Sequence, residues 1–423
     1  MDAETAARLV AGLLVIVLVA RLLGFLAKKA GQPPVVGEIL GGILLGPTLF
    51  HGAVTSALFP TTVRPGLTLL ANIGVCVFMF LVGLRYDHGR LAGTAKTAAT
   101  VALSAVALPF AGGAALAWYL FASHPAPNRL GFVLFMGTAM SVTAFPVLAR
   151  ILADKGLIDT PVGGIALAIA AVDDVLAWSL LAVVVALVQV TSGWQVLLIV
   201  PFAVVMLWVV RPLLARAAPA DGRRGGPAVS AVVFLALAAG LFVSAEVTDL
   251  LGLHAFFGAF LFGVVMPKGG AATLRERVLP WVERVSSVLL LPVFFMVAGL
   301  GVDLSTMDGQ LLGELGLVLV VAVGGKFGGA YLGARASGIR PRHATVLAAL
   351  VNTRGLTELI ALTVGLRLGM LDGSLYSLMV VMALVTTAMT GIVLRFVYPH
   401  WRVQRDHDAD LGSGLGDVRK RTG

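Results

Sequence analysis

Two adjacent carboxylates, Asp173 and Asp174, lie in the middle of an apolar stretch, residues 161–190, that contains no other charged side chain. The stretch is long enough to cross a bilayer, because a spanning helix needs about 20 apolar residues. An acid at the centre of such a helix costs at least about 2.5–3.5 kcal/mol on insertion scales. Acids at that depth usually carry ions or protons, so the pair is predicted to be the ion and proton site of a secondary transporter.

The composition places these acids in an all-α polytopic membrane protein. Hydrophobic residues make up 58% of the 423 residues and charged residues 13%, whereas soluble domains carry about 25% charged residues. A β-barrel is excluded, because its strands would read as segments of about ten residues with alternating polarity. The basic residues behind the net charge of +9 are scattered in short loops, so no nucleic-acid partner is expected. The one cysteine, Cys76, and the lack of a Cys/His cluster predict no metal centre and no cofactor.

The elements that position the acids are about thirteen apolar spans in one membrane domain, residues 1–398, followed by a polar tail, 399–423. The spans are roughly 5–29, 33–50, 67–84, 95–120, 129–153, 161–190, 194–216, 228–248, 251–267, 284–300, 310–337, 342–370 and 374–398. Most lysines and arginines fall in one set of alternate loops, and the other set holds Arg8, Arg64, Arg129 and Arg367. The positive-inside rule then predicts an outer N-terminus and a cytoplasmic C-terminus.

Two of the spans are interrupted. The segment 140–146 places Ser141, Thr143 and Pro146 inside the fifth span, and proline removes a helix hydrogen bond. The segment 352–358 places polar and charged residues at membrane depth in the twelfth. Paired interruptions at corresponding positions of two halves indicate a transporter site at an inverted-repeat interface. An ordinary proline kink remains the alternative for the first interruption.

A lysine lies in the middle of the eleventh span, between two pairs of glycines at 324–325 and 328–329. Lys326 could extend its charge to the membrane surface, or it could pair with an acid, for which Asp173 is the nearest candidate by topology. At about 4 Å such a pair is worth roughly 4 kcal/mol at an effective dielectric constant near 20. The pairing would make the protonation of the lysine sensitive to whatever occupies the acid site.

The second span is dense in glycine. Gly37 with Gly41, and Gly42 with Gly46, have the spacing of small residues that lets helices approach closely in a membrane. No strand precedes the segment, so it is not a dinucleotide-binding loop, and close helix contact is the prediction.

Five segments together resemble the monovalent cation:proton antiporter-2 family over nearly the whole chain. They are 37–47 (GEILGGILLGP), 143–150 (TAFPVLAR), 172–175 (VDDV), 252–260 (GLHAFFGAF) and 352–359 (NTRGLTEL). The resemblance implies a thirteen-helix sodium/proton antiporter fold with inverted repeats and two crossed, unwound helices. It also implies a core domain, 95–190 and 310–398, and a panel domain, 5–84 and 194–300, through which two copies form a homodimer.

The resemblance also implies roles for individual residues. Asp174 would bind the transported cation and the proton, and Asp173 would be its partner. Lys326 would be the core lysine that pairs with that partner in electrogenic members. The remaining matches fall on the two unwound helices: Ser141, Thr143 and Pro146 on the first, and Asn352, Thr353, Arg354, Gly355 and Glu358 on the second.

The resulting hypothesis is exchange of Na⁺ or K⁺ for H⁺ by alternating access. Hard monovalent cations take oxygen ligands, which a carboxylate, threonine hydroxyls and carbonyls freed at the helix breaks would supply. Because burial disfavours the charged form of a carboxylate, Asp174 would hold either a proton or a cation, and this competition would couple the two fluxes. With Asp173 and Lys326 present, more than one proton per cation is expected, which would make exchange electrogenic. An electroneutral exchanger is the alternative.

Three further functions are weighed against this hypothesis. A sodium-coupled symporter of small organic anions would need a larger polar cavity. An intramembrane aspartyl protease needs two facing aspartates on separate helices, whereas Asp173 and Asp174 lie about 100° apart on one helix. A plain channel would conduct at channel rates. We therefore expect no enzymatic activity, and we expect a bacterial inner-membrane protein whose partners are lipid and the transported ions.

Overall fold

The structure, a computed structural model, describes residues 3–49, 52–85, 95–157, 160–189, 199–217, 227–251, 255–267, 278–305 and 307–397. Within these residues it is all-helical. The helices are α1 (Ala3–Lys29), α2 (Pro34–Leu45), α3 (Ala53–Leu58), α4 (Arg64–Arg85), α5 (Ala95–Leu120), α6 (Arg129–Ser141), α7 (Phe145–Asp154), α8 (Pro161–Gln189), α9 (Ile199–Val205), α10 (Arg211–Ala217), α11 (Pro227–Leu250), α12 (Ala255–Val265), α13 (Leu279–Val285), α14 (Leu291–Leu300), α15 (Gly309–Ala336), α16 (Pro341–Val351), α17 (Leu356–Arg367) and α18 (Gly373–Val397).

The helices confirm the predicted fold class. Seven described segments are long and apolar enough to cross a membrane, and three shorter apolar helices accompany them. Two spans pass through a π-helical turn, Met206–Val210 between α9 and α10 and Ser286–Leu290 between α13 and α14. Each predicted span overlaps a described helix or two described helices that follow each other along the chain. The sequence did not predict the short helix α3, and the polar tail 399–423 lies outside the described residues.

The helices that carry the predicted site pack on one another. Helix α5 packs along α15 and also contacts α6 and α8, while α15 contacts α16 and α18. A second set of contacts joins α2 with α1 and α14, and α12 with α4 and α11. Helix α5 therefore contacts both the helix that carries the acids, α8, and the helix that carries the lysine, α15.

Glycines set the closest helix contacts, as their spacing in the second span predicts. A Cβ on Gly37 would meet the backbone of Leu23 in α1, and a Cβ on Gly42 would meet the carbonyl oxygen of Met296 in α14. Gly299 in α14 would collide in the same way with Ile39. These contacts join backbone to backbone, so no side-chain rotation relieves the collision.

We expect Gly42→Ala to destabilise the protein by about 1–3 kcal/mol, because overpacking at a tight contact forces a backbone shift. Gly316→Ala is the matched control: it lies inside α15, two turns from its start, and its added Cβ meets no atom within 4 Å. That control should stay within about 1 kcal/mol of the wild type or gain slightly. Unfolding of the purified protein in detergent measures both, and equal effects would contradict the assigned contact.

Candidate ion-binding site

The first interruption is a short non-helical segment between α6, which ends at Ser141, and α7, which begins at Phe145. The unwound residues are 142–144 and include Thr143 as predicted. The placement of Pro146 in the unwound segment is wrong, because it is the second residue of α7. Proline suits the first turn of a helix, where its missing N–H would have had no helical partner.

The second interruption contains the predicted residues Asn352, Thr353 and Gly355, between the end of α16 at Val351 and the start of α17. Gly355 has φ 156°, and a Cβ there would lie 2.8 Å from Cγ2 of Val147 in α7. The tight approach of the two interrupted helices therefore depends on glycine at this position.

The two interruptions meet. The N–H of Ala144 donates to the carbonyl of Thr353 at 3.0 Å, and the hydroxyl of Thr143 donates to the carbonyl of Val351 at 3.1 Å. In return the hydroxyl of Thr357 donates to the carbonyl of Thr143 at 3.3 Å. Each break therefore supplies partners for backbone groups that the other leaves free, as membrane burial demands.

The carboxyl end of α6 is fully satisfied by side chains. The last four carbonyls of a helix have no partner within it. In α6 these belong to Thr138, Ala139, Met140 and Ser141. The Ser141 hydroxyl donates to the carbonyl of Thr138 at 2.8 Å. The Arg354 guanidinium donates to the carbonyls of Ala139 at 3.2 Å and Met140 at 2.6 Å. The Lys326 ammonium donates to the carbonyl of Ser141. Two buried cations thus lie at the negative end of a helix dipole, where positive charge is stabilised.

Each of these cations also contacts an acid. Arg354 Nη1 lies 2.9 Å from Oε1 of Glu358, and both side chains are fully buried. Helix α18 holds the backbone of Arg354, because Oγ1 of Thr387 accepts from the Arg354 N–H at 3.2 Å and lies 2.7 Å from the Arg354 carbonyl oxygen. Thr390 in the same helix donates to the carbonyl of Ala349 at 3.2 Å.

Lys326 forms the ion pair that its mid-span position suggested. Its Nζ lies 2.9 Å from Oδ2 of Asp173, and neither side chain is exposed. The extension of Lys326 to the membrane surface is therefore wrong. The pair joins α15 to α8 directly beside the end of α6, because the same ammonium holds the carbonyl of Ser141.

Asp174 occupies a different position from its neighbour. It is 5% exposed, and its carboxylate faces the backbone N–H of Phe145, the first residue of α7. The amino end of a helix favours negative charge. Among the described residues, Oδ1 of Asp173, Oδ1 of Asp174 and both amide atoms of Asn352 are buried without a hydrogen-bond partner. The centre thus offers carboxylate and amide oxygens of the kind that a hard monovalent cation takes.

The predicted site residues are therefore brought together, but two hydroxyls act differently from the expectation. The Ser141 hydroxyl completes its own helix end, and the Thr143 hydroxyl holds the other break. Sequence reasoning also missed the supporting role of Thr387 and a second cluster around His124. An acid near the start of the span 310–337, Glu314, was the available signal for that cluster.

Comparisons with known proteins agree on one family. The family described as sodium/hydrogen exchanger, transmembrane, matches residues 14–398. The Na⁺/H⁺ antiporter NhaS4 of Synechocystis sp. is 37% identical over 94% of this chain and 99% of its own length. Cation/H⁺ antiporter 20 of Arabidopsis thaliana is 38% identical over 96% of this chain. This chain spans about half the length of the plant protein, 50%.

A solved structure has the same fold. The sodium proton antiporter MjNhaP1 of Methanocaldococcus jannaschii superposes with a TM-score of 0.68, and the match covers 95% of this chain and 99% of that one. The two sequences are 14% identical, so this likeness concerns the fold alone.

We expect Arg354→Gln to destabilise the protein by about 3–5 kcal/mol, because it leaves Glu358 charged and unpaired in the interior. Arg8→Gln is the control, since Arg8 and Glu4 form a pair with the same four-residue spacing but with side chains 57% and 71% exposed. An exposed pair of this kind contributes about 0.3–0.5 kcal/mol. Unfolding in detergent compares the two variants, and a similar small loss in both would contradict the structural role of Arg354.

Proposed function

The chain belongs to the transmembrane sodium/hydrogen exchanger family, and from that premise we propose that it exchanges Na⁺ or K⁺ for H⁺ across a membrane. Both ions appear in the names of relatives, since the Synechocystis protein is a Na⁺/H⁺ antiporter and a Saccharomyces cerevisiae protein, 33% identical, is K⁺/H⁺ antiporter 1. The role of each site residue in the exchange is part of this proposal.

The position of Asp174 carries the proposal. Its carboxylate is buried beside the first helix break, interacts with the amino end of α7, and keeps one oxygen without a protein partner. Burial favours neutralisation of a carboxylate, which either a proton or a bound cation achieves. One acid that accepts either ligand, but not both, couples the movement of one ion to that of the other.

The pair of Asp173 and Lys326 is the proposed second proton carrier. A cation that binds beside Asp174 adds positive charge near the ammonium and weakens the attraction that keeps Lys326 protonated. Release of that proton together with the one from Asp174 gives more than one proton per cation, and therefore electrogenic exchange. The ion pair of Arg354 and Glu358 keeps the place where the two interrupted helices meet, here called the crossing, rigid while these groups change charge.

Alternating access would move the crossing relative to the rest of the protein. The proposed core comprises 95–190 and 310–398, and the proposed panel comprises 5–84 and 194–300, which also forms the homodimer. The proposed location is a bacterial inner membrane with the C-terminus in the cytoplasm. The contacts of α5, α6, α8, α15, α16 and α18 with one another support a core that moves as one body.

We expect Asp174→Asn to abolish exchange in proteoliposomes, since an amide neither carries the proton nor balances the cation. Asp303→Asn is the control, because that carboxylate bonds Ser305 within its own loop. The control should exchange at the wild-type rate. Cation-induced pH change inside the vesicles gives the rate for Na⁺ and K⁺ separately, and wild-type exchange by Asp174→Asn would reject the site.

Electrogenic exchange predicts that an imposed membrane potential changes the initial exchange rate and that reversing the potential reverses the effect. The measurement uses the same proteoliposomes with a potassium gradient and an ionophore, and with Na⁺ as the exchanged cation. Vesicles that contain Asp174→Asn report the leak. A rate that does not respond to the potential would favour the electroneutral alternative.

A further inference from the structure

A buried histidine joins three parts of the fold away from the ion site. His124 follows α5 in the connection to α6 and is 5% exposed. Its Nε2 lies 2.8 Å from Oε2 of Glu314 in the first turns of α15, and its Nδ1 lies 2.6 Å from Oδ2 of Asp372, which immediately precedes α18. One imidazole therefore links the ends of two long helices to the end of a third.

Among the residues that the structure describes, Glu314 and Asp372 are the charged groups that contact the imidazole. Glu314 is 4% exposed and also accepts from the amide of Gln310 at 3.0 Å. The side chain of Asp372 is 42% exposed, so the cluster opens to water on that side. The Asp372 carboxylate also accepts from the N–H of Leu375 and from the hydroxyl of Ser374, both at 2.7 Å.

The other charged groups on the neighbouring elements have contacts of their own. Asp308 accepts from the N–H of Leu311 and caps α15. The guanidinium of Arg129, on α6, lies 3.6 Å from the centre of the Trp118 ring. Arg367, at the end of α17, donates to the amide oxygen of Asn72 at 3.1 Å.

The geometry requires a particular protonation state. A neutral imidazole donates from one ring nitrogen and accepts at the other, whereas an imidazolium donates from both. Two ionised carboxylates offer only acceptors. Both short contacts are therefore satisfied only when His124 carries the extra proton, and its loss turns one of them into a contact between a lone pair and a carboxylate.

We propose that His124 is a further proton-binding site, separate from both Asp174 and the pair of Asp173 and Lys326, and that its protonated form ties the outer ends of α15 and α18 to α5. The site lies on the predicted outer face, so it answers to the external pH. This inference rests on the proposed exchange function and orientation for its effect on transport, but not for the protonation itself.

The electrostatics of the cluster agree with this assignment. Burial by itself would lower the pKa of His124, but hydrogen bonds to Asp372 and Glu314 outweigh it and raise the pKa above its usual value of 6.5. Burial of Asp372 acts in the opposite direction to its hydrogen bonds from His124, Leu375 and Ser374, and the hydrogen bonds hold the pKa of that carboxyl well below its usual range. We call the contacts of protonated His124 with Glu314 and Asp372 the clasp. The clasp is complete below the ordinary histidine pKa, and it is lost as the pH rises through the raised pKa of His124.

The two helices held by the clasp are those that support the ion site. Helix α15 carries Lys326, which pairs with Asp173, and α18 carries Thr387, which bonds the backbone of Arg354. At alkaline external pH the outer ends of α15 and α18 are released from α5. This makes the helices around the two interruptions less rigid and changes no ion-binding group. An exchanger with this clasp changes its rate with external pH independently of competition at Asp174.

The first test needs no transport. We expect wild-type protein in detergent to have a higher thermal midpoint than His124→Gln at about pH 6, and we expect this advantage to shrink as the pH rises towards about 9. Asp372→Asn should move the loss to lower pH, because it removes one carboxylate that holds the proton. His343→Gln, at the start of α16, is the control and should leave the wild-type profile unchanged. An advantage of the wild type over His124→Gln that does not vary with pH would overturn the proposal.

The second test separates the two faces of the membrane. In vesicles of one orientation, the ratio of the wild-type rate to the His124→Gln rate should change about fivefold or more when the external pH alone is raised across the same range. It should stay constant when only the internal pH is varied. A ratio that follows the internal pH, or neither, would contradict the external sensor. Failure of Asp174→Asn to stop exchange would reject the ion site while leaving the stability profile of His124 intact.

Discussion

The structure depends on hydrogen bonds to the last backbone carbonyls of α6, which lie at membrane depth where water is not available. The last four carbonyls of α6 point into the protein at membrane depth, where an unpaired backbone group costs several kcal/mol. A serine hydroxyl, a guanidinium and an ammonium take all four. The two cations, Arg354 and Lys326, would be prohibitively costly there alone, so each is also paired with an acid. The free carbonyls at the break in the helix are thus bonded by two cations, and each of these cations is neutralised by one acid, Glu358 or Asp173.

In this arrangement, the protonation state of Lys326 affects the structure of the protein. Lys326 holds both the end of α6 and Asp173, so loss of its proton weakens a contact of the backbone as well as an ion pair. Asp174 lies at the positive end of α7, and the Lys326 ammonium lies at the negative end of α6. Under the proposed exchange, a change of occupant at either group would alter the balance of charge where the two interrupted helices meet, and this would couple ion binding to conformational change.

Much of this could be predicted from the sequence because membrane burial makes charged residues rare and therefore informative. The spans follow from apolar runs, the two interruptions follow from proline and polar residues inside those runs, and the pairing of Lys326 with Asp173 was one of two interpretations of a lysine in the middle of a span. The exact unwound residues did not follow, since Pro146 is compatible with the first turn of a helix as well as with a break. The hydroxyls of Ser141 and Thr143 were expected at the ion, but the demand of the backbone for partners takes precedence. The cluster of His124, Glu314 and Asp372 was missed because its members are far apart in sequence and lie near span ends, where charges are common.

If Asp174 binds either a proton or a cation, as proposed, then a cation that binds there must displace a proton, and that release can be measured. Purified protein in weakly buffered detergent is titrated with Na⁺ or K⁺ while a pH indicator records released protons. We expect saturable proton release by the wild type, release by Asp303→Asn that matches it, and none by Asp174→Asn. Saturable release of the same size by Asp174→Asn would contradict the proposed role of Asp174.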